Sequence, residues 1–323
     1  MRRVRYHSHG GPEVLRIEEA DIPKPGPGQV LIRTEAVGVN YVDVQLRRET
    51  SPDSLYFRSV PATLTGDVVG IVEEVGPDAD PALAGTRVAV LLEDAYADYV
   101  VADTSWLVSV PEGLGAGAAS MLPTVGAVAL GALHAGRLGQ GDTVLVTAGA
   151  GAIGHLAVQL ARQKGARTVI ATAGSPAKLN FLEKLGADVV IDHTQPEWAE
   201  QVRLAAPGGV GVVLEAVGGQ WLHKSIGLLA PSGRVVVFGA SAGDLTSVPV
   251  TSLFPLKTVS GFSLLAWRAA YPDRARADIT ELTGLFGTGT LHATVETLPL
   301  AEAARAHRLL EDRAVLGRLL LVP

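Results

Sequence analysis

The chain's 323 residues, 47% of them hydrophobic, suffice for two cored domains, and a formal net charge of −6 gives no general attraction to nucleic acid or to anionic membrane. Cysteine is absent, which removes disulfides, thiolate catalysis and every cysteine-based zinc site. There is no HExxH pattern, no signal-peptide core and no run of about 18 apolar residues, so the expectation is a cytoplasmic protein with no metal and no membrane segment.

Up to about residue 110, short strand-like runs are broken by Gly and Pro: VLRIEEA at 14–20, QVLIRTEAVGV at 29–39, DVVGIVEEVG at 67–76, TRVAVLL at 86–92 and ADYVVAD at 97–103. They predict a β-rich domain, with PKPGPGQ at 23–29 as a turn-rich loop and residues 46–60 as a longer surface connection. The Ala- and Gly-rich residues 115–138 read as closely packed helices leading into the next unit. There, residues 142–165 carry strand, glycine turn and helix in succession. The β-branched run 143–147 meets Gly149, Gly151 and Gly154, and an amphipathic pattern follows as far as Gly165. The first glycine permits the tight turn, the second lets backbone approach a pyrophosphate, and the third lets helix and strand pack closely. The helix amino end, with its open N–H groups, then faces the phosphates. A GxGxxG alone is a weak signal; here the preceding strand, the following helix and a second strand at 168–172 make it a dinucleotide site.

The carboxyl end of that second strand lies beside the adenosine ribose, where an NAD site places Asp or Glu about 20 residues after the glycines. No acid occurs between Thr168 and Lys178, whereas Ser175 and Lys178 are suited to hydrogen-bond and neutralise a 2′-phosphate, which favours NADPH. Ser175-Pro176 also reads as a helix N-cap followed by Pro at the first helical position. The two readings are compatible, because a capped helix start is itself a phosphate site. Further strands are expected at 187–193, 211–218 and 233–239, separated by helical stretches, so this middle part is an α/β unit with a parallel sheet. From about Pro255 the texture is mixed, with a helix at 300–310 and an apolar strand, GRLLLV, that rejoins the first domain.

In order along the chain, GPEVLRIEEADIPKPGPGQVLIR, AVGVNYVDVQLR, TGDVVGIVEEVG, TAGAGAIGHLAVQLARQKGA, LEAVGG and SGRVVVFGASAG resemble the zinc-independent quinone oxidoreductase (zeta-crystallin-like) branch of the medium-chain dehydrogenase/reductase superfamily. The resemblance covers nearly the whole length. It implies a GroES-like β-rich catalytic domain, residues 1–120 with 259–323 returning to it, split around a Rossmann domain with a doubly wound parallel sheet at 121–258. The active site would lie in the cleft between them. It also implies a homodimer joined through edge strands of the cofactor domains, an edge that GRVVVFG and the following VPVTSLF would suit. Zinc-dependent relatives carry a metal-binding Cys and a Gly-His-Glu segment. The matching positions here, Val39 or Asn40 and Gly66-Asp67-Val68, offer neither thiolate nor imidazole. That leaves hydride delivery to an acceptor polarised by its own conjugation, a quinone or an α,β-unsaturated carbonyl.

The same resemblance places individual residues. Asn40 and Tyr41 lie beside the nicotinamide ribose and the substrate, where Tyr41 is either a proton donor or oxygen stabiliser for an enolate, or simply an aromatic closing a loop. Asp43 is expected to be a local hydrogen-bonding partner. Lys257 matches a lysine near the active site of fatty-acid-synthase-type enoyl reductases, against which stands the reading of a solvated lysine between strands. On the cofactor side the resemblance implies Gly149, Gly151, Ala152, Ile153, Gly154, Ser175, Lys178, Val217, Phe238, Gly239, Ala240 and Phe262-Ser263-Leu264, the last of these meeting the carboxamide. His193 stands where relatives have a Tyr beside the adenosine phosphate, and Val128 where they have a Thr near the nicotinamide. The expected function is an NADPH-dependent reductase of a quinone or enone. The alternatives are a dedicated enoyl reductase of a thioester or polyketide-like pathway, and a non-catalytic NADPH-binding structural or sensing protein.

Overall fold

The structure, a computed structural model, describes residues 1–243 and 246–323, and these fall into two units: Met1–Thr124 with Thr283–Pro323, and Val125–Leu282. In the first, β1 (Arg2–Tyr6) and β2 (Leu15–Glu19) form a small antiparallel pair. The long β3 (Gln29–Val39) is followed by the helix α1 (Tyr41–Arg48), then β4 (Gly66–Val75), β5 (Arg87–Leu92), β6 (Tyr99–Asp103), β7 (Val108–Ser109) and the short α2 (Ala116–Ala119). β3 and β4 pair along almost their full length, with the register slipping between Thr34 and Ala36 so that Glu35 is an extra residue opposite Val69 and Gly70. Such a bulge bends its strand. Gly70 permits the approach there, since a β-carbon at this position would strike the backbone of Arg33.

The second unit opens with α3 (Val125–Ala135) and then alternates: β8 (Thr143–Val146), α4 (Gly154–Gln163), β9 (Thr168–Ala173), α5 (Pro176–Lys184), β10 (Val189–Asp192), α6 (Trp198–Ala205), β11 (Val210–Glu215), α7 (Gln220–Leu228), β12 (Leu229–Val237) and β13 (Thr258–Gly261). All six strands are parallel, in the order β10-β9-β8-β11-β12-β13. β8, β9 and β11 are buried almost throughout, and their mostly apolar sequences, TVLV, TVIATA and VGVVLE, suit strands covered on both faces. The order reverses between β8 and β11, which is the switch point where such sheets bind their ligands. Helices α8 (Leu264–Ala270) and α9 (Pro272–Gly287) follow. The chain then returns to the first unit as β14 (Val295–Pro299), α10 (Ala303–Glu311) and β15 (Arg318–Val322), inserting β15 between β14 and β3 of a seven-stranded sheet.

Two expectations need correction. The return to the first unit comes at Thr283 rather than 259, because β13 completes the parallel sheet and α8 packs on α3; the earlier boundary lies at Thr124/Val125 rather than 120/121. GRVVVFG is no edge strand: it lies largely in β12, flanked by β11 and β13, and the sheet edge is the four-residue β13. Residues 267–278 are almost entirely helical.

Candidate active site

β3 delivers Asn40 to the head of α1. Asn40 is the N-cap, with φ −111°, yet its side chain makes no capping bond. The amide is instead held sideways: Oδ1 accepts from Arg318 Nη2 at 3.1 Å, and Nδ2 donates to Asp67 Oδ2 at 3.4 Å. Arg318, on β15, and Asp67, on β4, are both buried and ion-paired through the same Nη2 and Oδ2. Arg318 Nη1 donates to Ser120 O at 2.8 Å, and Thr124 Oγ1 donates to the other carboxylate oxygen. Two charges withdrawn from water hold together only when their remaining donors and acceptors are met in this way. Gly38 makes the arrangement possible, because a β-carbon there would occupy the space of the guanidinium. Thus Asn40 and Asp67, from the two segments compared above with those of zinc-dependent relatives, are here bridged by an arginine.

Tyr41 is half-buried at the first position of α1. The Arg313 guanidinium lies 4.5 Å from the centre of its ring, and Nη2 donates to the phenol oxygen at 3.1 Å. Two residues on, Asp43 faces the other way, fully buried, and accepts from Thr65 N–H at 2.7 Å and Thr65 Oγ1 at 2.8 Å. Burial outweighs these bonds and pushes its carboxyl up to about 7. Below α1, Tyr96 and His307 meet at 3.4 Å in the core, where burial lowers the imidazole to about 3.

In the second unit, the glycine turn leaves β8 at the switch point. A β-carbon at Gly154 would run into Ala148 O and Gly149 Cα, and one at Gly149 would crowd Leu182 and Ala171, so the loop is closed against its own strand and helix. The amides of Ala152 and Ile153, at the amino end of α4, find no acceptor among the described residues. Open N–H groups at a helix start fit a pyrophosphate. After β9, Ser175 caps α5 in an extended conformation with no side-chain capping bond, and Pro176 is the first helical residue. His193 packs its ring against Gly174, beside Ser175, and meets Trp221 edge-on at 5.1 Å.

Beyond β11 the chain turns at Val217-Gly218, both of whose amides donate to the buried Glu215 carboxylate, at 2.6 and 3.1 Å. Ser225 Oγ adds a third bond at 2.8 Å, and burial still raises this acid. Gly239 lies against Ala216, while Ser241 and Ala242 donate back to Ala216 and Val217, which ties the 238–240 segment to the same turn. Phe262 follows the edge strand with its ring over Gly131, and Ser263 Oγ accepts from Ala266 N–H to cap α8, leaving Leu264 buried. Val128 is buried on α3. Lys257 Nζ donates to Ile226 O on α7 at 2.7 Å.

The structure therefore gathers Asn40 and Tyr41 with three residues that sequence reasoning did not select, Arg318, Arg313 and Thr124, and adds Glu215 to the cofactor side. An arginine inside the apolar run GRLLLV and an acid closing the run VGVVLE were the available signals.

Residues 26–112 match the family model for the alcohol dehydrogenase GroES-like domain, and residues 152–281 that for zinc-binding dehydrogenase. A 2-haloacrylate reductase from a Burkholderia species is 33% identical over 98% of this chain and 97% of its own length. The chain belongs to the medium-chain dehydrogenase/reductase superfamily, in its zinc-independent quinone oxidoreductase branch. Among solved members, a mycobacterial protein complexed with NADPH superposes with TM-score 0.91 at 32% identity, both chains covered in full. The Escherichia coli quinone oxidoreductase complexed with NADPH gives 0.90 at 28%, again over the whole of both chains.

Proposed function

We propose that this member of the quinone oxidoreductase branch is a zinc-independent NADPH-dependent reductase of a quinone or an α,β-unsaturated carbonyl. The observation that carries the reading is the glycine turn at the switch point of the parallel sheet, with open amides at Ala152 and Ile153 and with Ser175 and Lys178 where an NAD site has an acid. These residues, with His193 beside Ser175, hold the phosphates. The turn built on Glu215 and the segments 238–240 and 262–264 provide backbone for the nicotinamide end.

Bound NADPH supplies a hydride, two electrons with one proton, to the β-carbon of an enone or to a quinone. In the catalytic unit, Asn40 is oriented by Arg318 and Asp67, and Tyr41 gives the α-carbon its proton or hydrogen-bonds the enolate oxygen. Lys257 is engaged at the carbonyl of α7 and serves that helix rather than the chemistry. Activity is tested by NADPH and NADH oxidation against a benzoquinone, a small enone, a 2-haloacrylate-like enoate and an enoyl thioester. Turnover with NADPH identifies the acceptor class; binding of NADPH with no turnover of any of the four refutes a reductase role.

The fold also supports a homodimer through β13, one of the two edges of the parallel sheet, beside which Val250, Phe254 and Leu256 are 69–73% exposed. Among the described residues no helix is long and apolar enough to cross a membrane. Cytoplasmic residence accords with the absence of cysteine and the use of NADPH.

A further inference from the structure

Arg313 occupies a position where the backbone favours glycine. α10 ends in paired hydrogen bonds, Arg313 N–H to Leu310 O at 3.1 Å and Ala314 N–H to Leu309 O at 2.9 Å. This closure places residue 313 in the left-handed region, and its φ is 54°. A β-carbon is strained there, so helices usually end on Gly or Asn. What the arginine side chain supplies in return is its double contact with Tyr41: guanidinium on the ring face at 4.5 Å and Nη2 donating to the phenol oxygen at 3.1 Å. A guanidinium has no acceptor, so the phenol's own hydrogen must point away from it. The oxygen is thereby fixed, and a cation already stands against it.

We infer that Arg313 is a positioning residue for Tyr41, fixing the phenol and supplying the countercharge when its proton leaves. The inference rests on the proposed role of Tyr41 as proton donor. In that step the Tyr41 O–H bond breaks, a C–H bond forms at the α-carbon of the substrate enolate, and the electron pair stays on the phenol oxygen against Nη2 until water returns a proton. A reduced quinone carries its charge on oxygen and takes its proton from water, so its reduction depends less on this pair.

Five variants test it: R313K, R313M, R313G, Y41F and the double Y41F/R313M, each assayed for kcat and KM with a small enone and with a benzoquinone, and each melted. R313M and R313G are expected to lower the enone kcat by about tenfold or more, with KM for NADPH unchanged and quinone turnover altered by less than about threefold. R313K restores most of the enone rate. R313G melts no lower than the wild type, because glycine relieves the strain at 313. The double variant is no slower than Y41F. The inference is overturned if R313M slows Y41F by its full factor again, or if the R313G rate and melting temperature fall together, as a purely structural clamp requires. Y41F reducing the enone at the wild-type rate removes the donor role and this inference with it, whereas a slow Y41F beside a normal R313M removes the role of Arg313 alone.

Discussion

Asp43→Asn separates a charge from its shape. The carboxyl is buried, hydrogen-bonded to Thr65, and ionises only at about 7 instead of 3.8. An unfolded chain releases this proton near 3.8, so between the two values the folded state binds one proton more. Stability therefore falls as pH rises through this window, and the full cost stands above pH 7. At about 1.4 kcal/mol per pH unit, the interval is worth about 4 kcal/mol. Asparagine keeps both contacts, accepting from Thr65 N–H and donating to Thr65 Oγ1, and it has nothing to ionise. His307 acts with the opposite sign: its neutral form is enforced down to about 3, so stability is lost as pH falls below 6.5. In the wild type the two slopes oppose each other between about pH 4 and 6.5, giving a nearly level profile. Urea unfolding of D43N from pH 4 to 8 is expected to show the uncovered acid loss of His307. Its stability relative to wild type should rise by about 2–4 kcal/mol between pH 4 and 8. A constant gap between the two proteins across that range would falsify the assignment of Asp43 as an uncompensated buried acid.

Other perturbations probe separate parts of the molecule. Arg318→Met leaves Asp67 buried without its countercharge and is expected to destabilise the protein by about 3–5 kcal/mol, while R318M/D67N recovers most of the loss; equal melting temperatures for the single and double variants would contradict the pair. Gly154→Ala pushes a β-carbon into the backbone of the turn after β8, so NADPH affinity measured by fluorescence titration should drop by about tenfold or more and the melting temperature should fall with it, and unaltered affinity would remove the turn from the cofactor site. Phe254→Glu places a charge beside the β13 edge and is expected to convert a dimer to monomers in sedimentation velocity; a persistent dimer would locate the interface elsewhere.

The glycine turn was legible because its geometry leaves little choice of residue. Gly154 stands where backbone crowds backbone and Gly149 where Leu182 and Ala171 close in, so the spacing itself records the turn, and the strand-helix alternation around it gives the parallel sheet. Asn40 and Tyr41 were selected only through resemblance. Arg318 was not selected, because one arginine in GRLLLV does not interrupt an apolar strand pattern, and its partner Asp67 lies 251 residues earlier. Local periodicity carries no record of such a pairing. The edge of the sheet was misplaced for a related reason: Thr258–Gly261 is a four-residue strand, only partly buried, and its sequence lacks the long apolar run that announces β12.

The interruption of the first unit by the second has a consequence for biosynthesis. Residues 125–282 are contiguous, so the ribosome releases them as a complete folding unit while the catalytic sheet still lacks β14 and β15. During that interval the carboxyl half of β3, which later pairs through Gly38 and Val37 with Leu320 and Leu321, has an open edge, and Asp67 has no guanidinium beside it. Docking of β15 closes the edge and sets Asn40 in the same event. A chain truncated near residue 300 should already bind NADPH yet reduce nothing, because β15 and its Arg318 are missing.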